Sequence, residues 1–204
     1  MITMRYHSCA AFLMLLCIGC ASTPAGPLAG KGLPNFDRVD SHVFRGGQPS
    51  GDGFGELVEL EVGTIIDLRE PGEKLPSEGA EKRAATAAQI EYIPEPMPGL
   101  GAPSRDAVKR ILSVLSDPGR EKPVFIHCRR GSDRTGTVVA IYRITHDCWT
   151  ADRAIQEAKE KGMFWFELGM RKLIREWYEE IKAQSCEERR QSISRRVAAR
   201  RLAP

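Results

Sequence analysis

The chain has 204 residues, 42% of them hydrophobic and 28% charged. That is one domain of ordinary size, with enough apolar material for a core that needs no disulfide scaffold. Thirty Lys and Arg against 27 Asp and Glu leave a net charge of +3, which excludes a strongly basic nucleic-acid binder. Cys9, Cys17 and Cys20 fall in the first twenty residues. The other three cysteines make no disulfide framework; Cys148 and Cys186 could pair in an oxidising compartment, with two unpaired thiols as the simpler default.

Residues 1–20 carry Arg5 ahead of an apolar run at 9–19. The run is too short to span a bilayer as a helix and reads as a secretory signal. Cys17-Ile18-Gly19-Cys20 resembles a bacterial lipobox, although Cys17 stands where Leu is usual. The resemblance implies lipidation at Cys20 and a domain held on the periplasmic side of a bacterial membrane; ordinary cleavage near Ala21–Ala25, or retention of the segment as an anchor, is the other reading. Ala21 after the cysteine favours the outer membrane. Residues 21–35, rich in Ala, Gly and Pro, read as a flexible tether. Fifteen residues at roughly 3.4 Å each could reach ~50 Å.

Residues 36–183 alternate short apolar runs with helical patterns. Val43–Arg45, Val62–Leu68, Ile90–Ile93 and Pro123–His127 read as strands, the last as one buried on both faces. Helices are predicted over 52–61, 79–89, 104–116, 134–146, 151–161 and 167–183, with Ser104 as an N-cap. The alternation predicts an α/β fold with a largely parallel central sheet flanked by helices. Trp149, Phe164, Trp165, Phe166 and Trp177 are expected in the core or in helix packing. Residues 184–204 hold six Arg and two Glu and read as a basic, disordered tail, the other reading being adhesion to anionic lipid headgroups beside the anchor.

The informative stretch is Lys122–Gly136, KPVFIHCRRGSDRTG. A strand ends at His127-Cys128, a short loop follows, and Arg134-Thr135-Gly136 opens an apolar helix. Such a loop aims several backbone N–H groups at one place, and the helix dipole adds positive potential there. Gly131 lets the backbone curl around an oxyanion, and Arg134 offers a planar fork that matches phosphate. The same field favours a thiolate at Cys128. A thiolate facing a bound phosphate is set for in-line attack on phosphorus.

His127-Cys128, five residues, then Arg134-Thr135-Gly136 resembles the signature of the cysteine-dependent phosphatases. The likeness is closest to the small dual-specificity or atypical tyrosine phosphatase group, and it spans roughly residues 36–183. Arg45-Gly46-Gly47-Gln48-Pro49 resembles an element found early in bacterial and fungal members, and Thr64–Arg69 resembles their second strand. The resemblance implies Cys128 as phospho-cysteine and Arg134 as the phosphate-binding and transition-state residue. It implies that Thr135 donates to the thiolate and that His127 orients the loop, with Gly131, Ser132, Asp133, Arg129 and Arg130 around the phosphate.

The family places an acidic Asp on a separate loop about thirty residues before the cysteine. That window here holds Glu95 and no Asp. Asp133, inside the signature, is the second candidate, since myotubularin-type lipid phosphatases carry an Asp at the same loop position; a third reading has neither acting. Arg129 and Arg130 either favour a highly charged ligand or face solvent. Arg45 and Arg69 end strands, where ligands collect in open α/β sheets, though a salt bridge from Arg69 to Asp67 or Glu70 fits equally. The expected substrate is a phosphotyrosine-type protein. A phosphoinositide or soluble inositol phosphate is the alternative, and a non-catalytic phosphate-binding module a lesser one. His7, His42, His127 and His146 have no ligand spacing, so no metal or cofactor is expected. The expected partners are the phosphorylated substrate and, through the N-terminal anchor, a lipid bilayer. No nucleic acid is expected, and the chain is expected to be a monomer.

Overall fold

The run Val124–His127 is β-branched or aromatic and wholly buried, and in the computed structural model it forms β5 at the centre of a five-stranded sheet. The structure describes residues 32–74 and 79–201. The sheet order is β1 (Asp37–Arg38), β2 (Val43–Gly46), β5, β3 (Thr64–Asp67) and β4 (Glu91–Pro94). All pairings are parallel except β1 with β2, as the α/β reading expected. β1, two residues long, was not legible as a strand. Gly46 and Asp67 both register with His127, so the carboxyl ends of β2, β3 and β5 meet at one edge. Ligand loops collect at that edge in open parallel sheets.

Side chains alternate across the sheet and build two cores. Ile65 and Phe125 face the first, with Leu57 of α1 (Gly53–Glu59) and Ala85 of α2 (Ala80–Ala87). Ile66 and Ile126 face the second, with α3 (Arg105–Leu115), α4 (Asp133–His146), α5 (Ala151–Glu160) and α6 (Leu168–Ile181). α4 is buried nearly all round, as a helix enclosed by sheet and other helices must be. The Ser104 hydroxyl accepts from the Ala107 N–H, the expected cap.

Several boundaries differ from the sequence reading. The expected tether, 21–35, overlaps the folded domain. Leu33 is buried, the Pro34 carbonyl accepts from the Gly47 N–H, and the Asn35 amide donates to the carbonyls of Arg130 and Lys161. The tail expected to be disordered is helical over α7 (Cys186–Arg201). Ile193 and Val197 are buried on it, and the buried Arg189 guanidinium donates to the carbonyls of Ile144, Ile181, Lys182 and Gln184. Its charge count hid the two apolar residues and the capping arginine that dock it. Cys148 and Cys186 form a disulfide across 38 residues, so of the two readings the pairing is realised rather than the simpler free thiols; α7 folding back over the end of α4 brings them together. The aromatics also divide. Trp177 is buried, whereas Trp165 is 79% exposed and Phe164 and Phe166 are exposed beside it. The signal segment and Cys20 lie outside the described residues. Among the described residues no helix is long and apolar enough to cross a membrane.

Candidate active site

β5 delivers His127 and Cys128 to the sheet edge, and α4 begins five residues later. Between them the chain turns at Gly131, whose φ is +75°. A Cβ there would lie 2.4 Å from the Gly46 carbonyl carbon, so the end of β2 leaves room for glycine alone. The turn aims the Gly131 N–H at Cys128 Sγ, 3.3 Å away. The loop is pinned from outside by Arg45, whose Nη2 donates to the Gly131 carbonyl at 2.7 Å. Arg45 is buried at the end of β2, and that burial lowers its pKa, opposed first by Glu157 and then Asp37. It supports the loop from beneath and does not line the cavity.

A cavity of about 490 Å³ opens over this loop, lined by Glu73, Gly99, Cys128, Arg129, Arg130, Asp133 and Arg134. The structure therefore brings together the expected nucleophile, arginine and basic loop residues. Cys128 itself is 2% exposed. Arg134 approaches it from the first turn of α4. Burial works against the Arg134 cation, but the Glu73 hydrogen bond and the Cys128 charge raise its pKa.

Glu73 was missed from the sequence. It sits in a 3-10 turn, Pro71–Lys74, just beyond β3. Both carboxylate oxygens accept from the end of the Arg134 fork, Nη2 to Oε1 at 2.9 Å and Nη1 to Oε2. Nη1 also reaches the carbonyls of Leu68 and Met97. The protein thus grips the terminal edge of the guanidinium. The Arg134 hydrogen bond holds the Glu73 carboxyl below the usual carboxylate range. A glutamate in an irregular turn has no spacing signal, and only the fold puts it against Arg134.

The two expected acids are both occupied. Glu95 lies outside the cavity lining, its carboxylate gripped by Nε and Nη2 of Arg110 from α3 at 2.9–3.1 Å. Asp133 lines the cavity but accepts the Phe164 N–H at 2.8 Å and Arg130 Nη2 at 2.6 Å. It ties the loop before α6 to the helix start. Thr135 is buried, and its hydroxyl has no hydrogen-bond partner among the described residues; the expected bond to Cys128 is not made, and Sγ accepts from Gly131 instead.

Behind the loop His127 is fully buried, with Nδ1 3.2 Å from the Cys128 carbonyl and Nε2 2.7 Å from Glu81 Oε1. Arg69 bonds Asp67 and Glu81, so of the two readings for Arg69 the ion pair is the one realised. The Asp67 carboxyl pays a desolvation cost, yet hydrogen bonds from Arg69 hold it far below its ordinary value. Asp67, Glu81 and His127 bring ligand atoms within 4.8 Å of one another, but a guanidinium already bridges the carboxylates. The group reads as a buried charge network supporting the loop. Ser132 is buried at the head of α4 and accepts weakly from Asn35. Arg129 is exposed at the mouth, and Arg130 lies 4.2 Å over the Phe164 ring.

A family model described as a DSP-PTPase phosphatase fused to NAD+ kinase matches residues 30–176, a stretch that holds the whole site. The chain belongs to this phosphatase family. Its relatives in it include the inositol diphosphatase DSP5 of Arabidopsis thaliana, 30% identical over 147 residues, covering 68% of this chain and 67% of that protein. The dual specificity protein phosphatase TpbA of Pseudomonas aeruginosa is 28% identical over 129 residues, 63% of this chain and 55% of that protein. The match spans about half to two thirds of such DSP-PTPase relatives. Among solved structures, PTPMT1 in complex with PI(5)P superposes with a TM-score of 0.62 at 23% identity, over 73% of this chain and 97% of that one. Tk-PTP superposes with a TM-score of 0.63 at 24% identity, over 72% and 97%. These likenesses carry the phosphatase fold. Family and relatives together make the chain a cysteine-based phosphatase.

Proposed function

We propose that this phosphatase removes the terminal phosphate of a polyanionic diphosphate, of the inositol diphosphate class. The Cys128 thiolate attacks phosphorus and the bond to the leaving oxygen breaks, the electron pair going to that oxygen. Water then attacks the phospho-cysteine, one water proton passing to a phosphoryl oxygen. The phosphorus–sulfur bond breaks and the thiolate returns. Arg134 and the loop N–H groups hold the equatorial oxygens, where charge develops.

The observation that carries the substrate class is that each described carboxylate expected or found near the cavity, Glu73, Glu95 and Asp133, is already committed to a protein cation or amide. A leaving group that needs no proton suits such a site. A phosphate leaves at a pKa of about 6 and a tyrosine phenol at about 10, whereas an aliphatic hydroxyl lies closer to water, about 15.7. Arg129 at the mouth adds charge for the remaining phosphates, and the Arabidopsis relative is named an inositol diphosphatase. Phosphotyrosine, with its phenol leaving group, is the second reading, supported by the TpbA relative named a dual specificity protein phosphatase.

Phosphate release from inositol diphosphates, inositol monophosphates and phosphotyrosine peptides tests this. We expect the highest kcat/KM on the diphosphates. A tenfold preference for the peptides overturns the substrate class, and turnover surviving in Cys128→Ser overturns the mechanism.

The chain is proposed to act outside the cytoplasm, tethered through a lipidated Cys20. Supporting this are the Arg5 and apolar signal pattern, the lipobox-like ending and the Cys148–Cys186 disulfide, a bond that persists in oxidising compartments. Palmitate labelling lost in Cys20→Ser tests it.

A further inference from the structure

Two loops beside the catalytic cavity carry apolar side chains that the fold leaves in water. The loop between α5 and α6 presents Phe164, Trp165 and Phe166, and α6 opens with Leu168; Trp165 is 79% exposed and Leu168 69%. The loop after β4 presents Leu100, 72% exposed and adjacent to the cavity-lining Gly99. The two loops touch: the Gly101 N–H reaches Glu167 Oε2 at 3.4 Å. They are built rather than slack. Phe164 and Phe166 stack at 5.0 Å, Trp165 meets Phe166 edge-on at 5.8 Å, and Asp133 holds the Phe164 amide. The core does not need these side chains, and a contiguous exposed apolar cluster at the mouth of a site marks an interaction surface.

From this geometry we infer that the crown formed by Leu100, Phe164, Trp165, Phe166 and Leu168 seats on the surface of an anionic lipid bilayer, with the Cys128 cavity facing the headgroups. Three observations commit it to a bilayer. Indole and phenyl rings beside cations are the composition of an interfacial surface, and Arg129 at the cavity mouth and Arg171, which donates to the Trp165 carbonyl, flank the crown. The N-terminal segment also crosses this face, where Asn35 bonds the carbonyls of Arg130 and Lys161. Finally, the twelve residues from Cys20 to Gly32 reach at most ~40 Å. That reach lets a chain held at Cys20 lay its active face on the membrane. The inference deepens the proposed function, on whose phosphatase site and membrane tether it rests: the site meets its substrate at the membrane surface.

The test uses the full chain with phosphatidylcholine vesicles, with and without phosphatidylglycerol. Co-sedimentation reads membrane attachment. Acrylamide quenching of tryptophan fluorescence, with Trp165→Phe subtracted to isolate the Trp165 signal, reads the crown. The expected result is sedimentation, with Trp165 quenching about threefold weaker on phosphatidylglycerol vesicles as the indole leaves water. Phe166→Ser/Leu168→Ser, which keeps Trp165, should restore much of the quenching. Sedimentation with unchanged Trp165 quenching overturns the crown and leaves the tether standing. Failure to sediment overturns both membrane readings, while phosphate release in solution still reports on the phosphatase site. Shielding of Trp165 by a phosphotyrosine peptide but not by vesicles overturns the bilayer in favour of a protein partner.

Discussion

Gly131→Ala probes how the phosphate loop is built. The residue has φ +75°, and the added methyl would sit 2.4 Å from the Gly46 carbonyl carbon, 2.5 Å from its oxygen and 2.6 Å from the Gly47 nitrogen. Ordinary contact begins at 3.4 Å, so loop and strand must part by about 1 Å. Both sides are backbone, and neither can swing aside as a side chain would. The left-handed conformation adds about 1–2 kcal/mol for an alanine, which for a domain of this size lowers Tm by about 2–4 °C per kcal/mol. A misplacement of about 1 Å at a reacting centre costs about 10²-fold in rate, equivalent to ~2.7 kcal/mol of barrier. The Gly131 N–H that faces Cys128 Sγ and the carbonyl held by Arg45 move with it. The assay is kcat on an aryl phosphate with Tm measured in parallel. Gly55→Ala is the control: Gly55 is exposed in α1 with nothing within 4 Å of a new Cβ, and the change should stabilise by about 0.5–1 kcal/mol. A Gly131→Ala enzyme within threefold of wild-type kcat at unchanged Tm would refute the close-approach reasoning.

Three further outcomes are expected. Closing a 38-residue separation constrains the unfolded chain by about 4 kcal/mol in the loop-entropy treatment; a reductant should lower the Tm of the wild type and leave Cys148→Ser/Cys186→Ser unmoved. Glu73→Ala should lower kcat/KM at least about tenfold, since a hydrogen bond to a charged group is worth about 1.5–3 kcal/mol and Arg134 loses its terminal clamp, while Glu95→Gln stays within about twofold because its partner Arg110 lies outside the cavity. Equal effects of the two would refute the assignment. The folded Asp67 pKa is depressed against desolvation by Arg69, so its stabilisation is fully present above the ordinary value of about 3.9 and is lost as pH falls below it. The Tm gap between wild type and Asp67→Asn should therefore shrink below about pH 4; a gap constant with pH removes the linkage.

Much of this protein was legible from the chain alone because its decisive signals are local. His127-Cys128, Gly131 and Arg134-Thr135-Gly136 lie within ten residues. A strand followed by a tight turn and a helix start suffices to aim their groups at one anion. The buried apolar run of β5 and the Ser104 cap and periodicity of α3 have the same short range.

What tertiary structure decided involves residues far apart in sequence. Glu73 reaches Arg134 across 61 positions, and no pattern marks it. Glu95 sits at a plausible distance before Cys128, but α3 delivers Arg110 to it and holds it outside the cavity lining. The tail is basic by composition, yet two buried apolar residues, the capping Arg189 and the disulfide dock it as a helix. The aromatics after α5 have core composition and stand in water, because Asp133 and the loop after β4 hold their loop at the cavity mouth. Composition and spacing record which chemistry a chain carries. Which of its charges are free to do that chemistry depends on the partners that packing brings to them, and those partners are not neighbours in sequence.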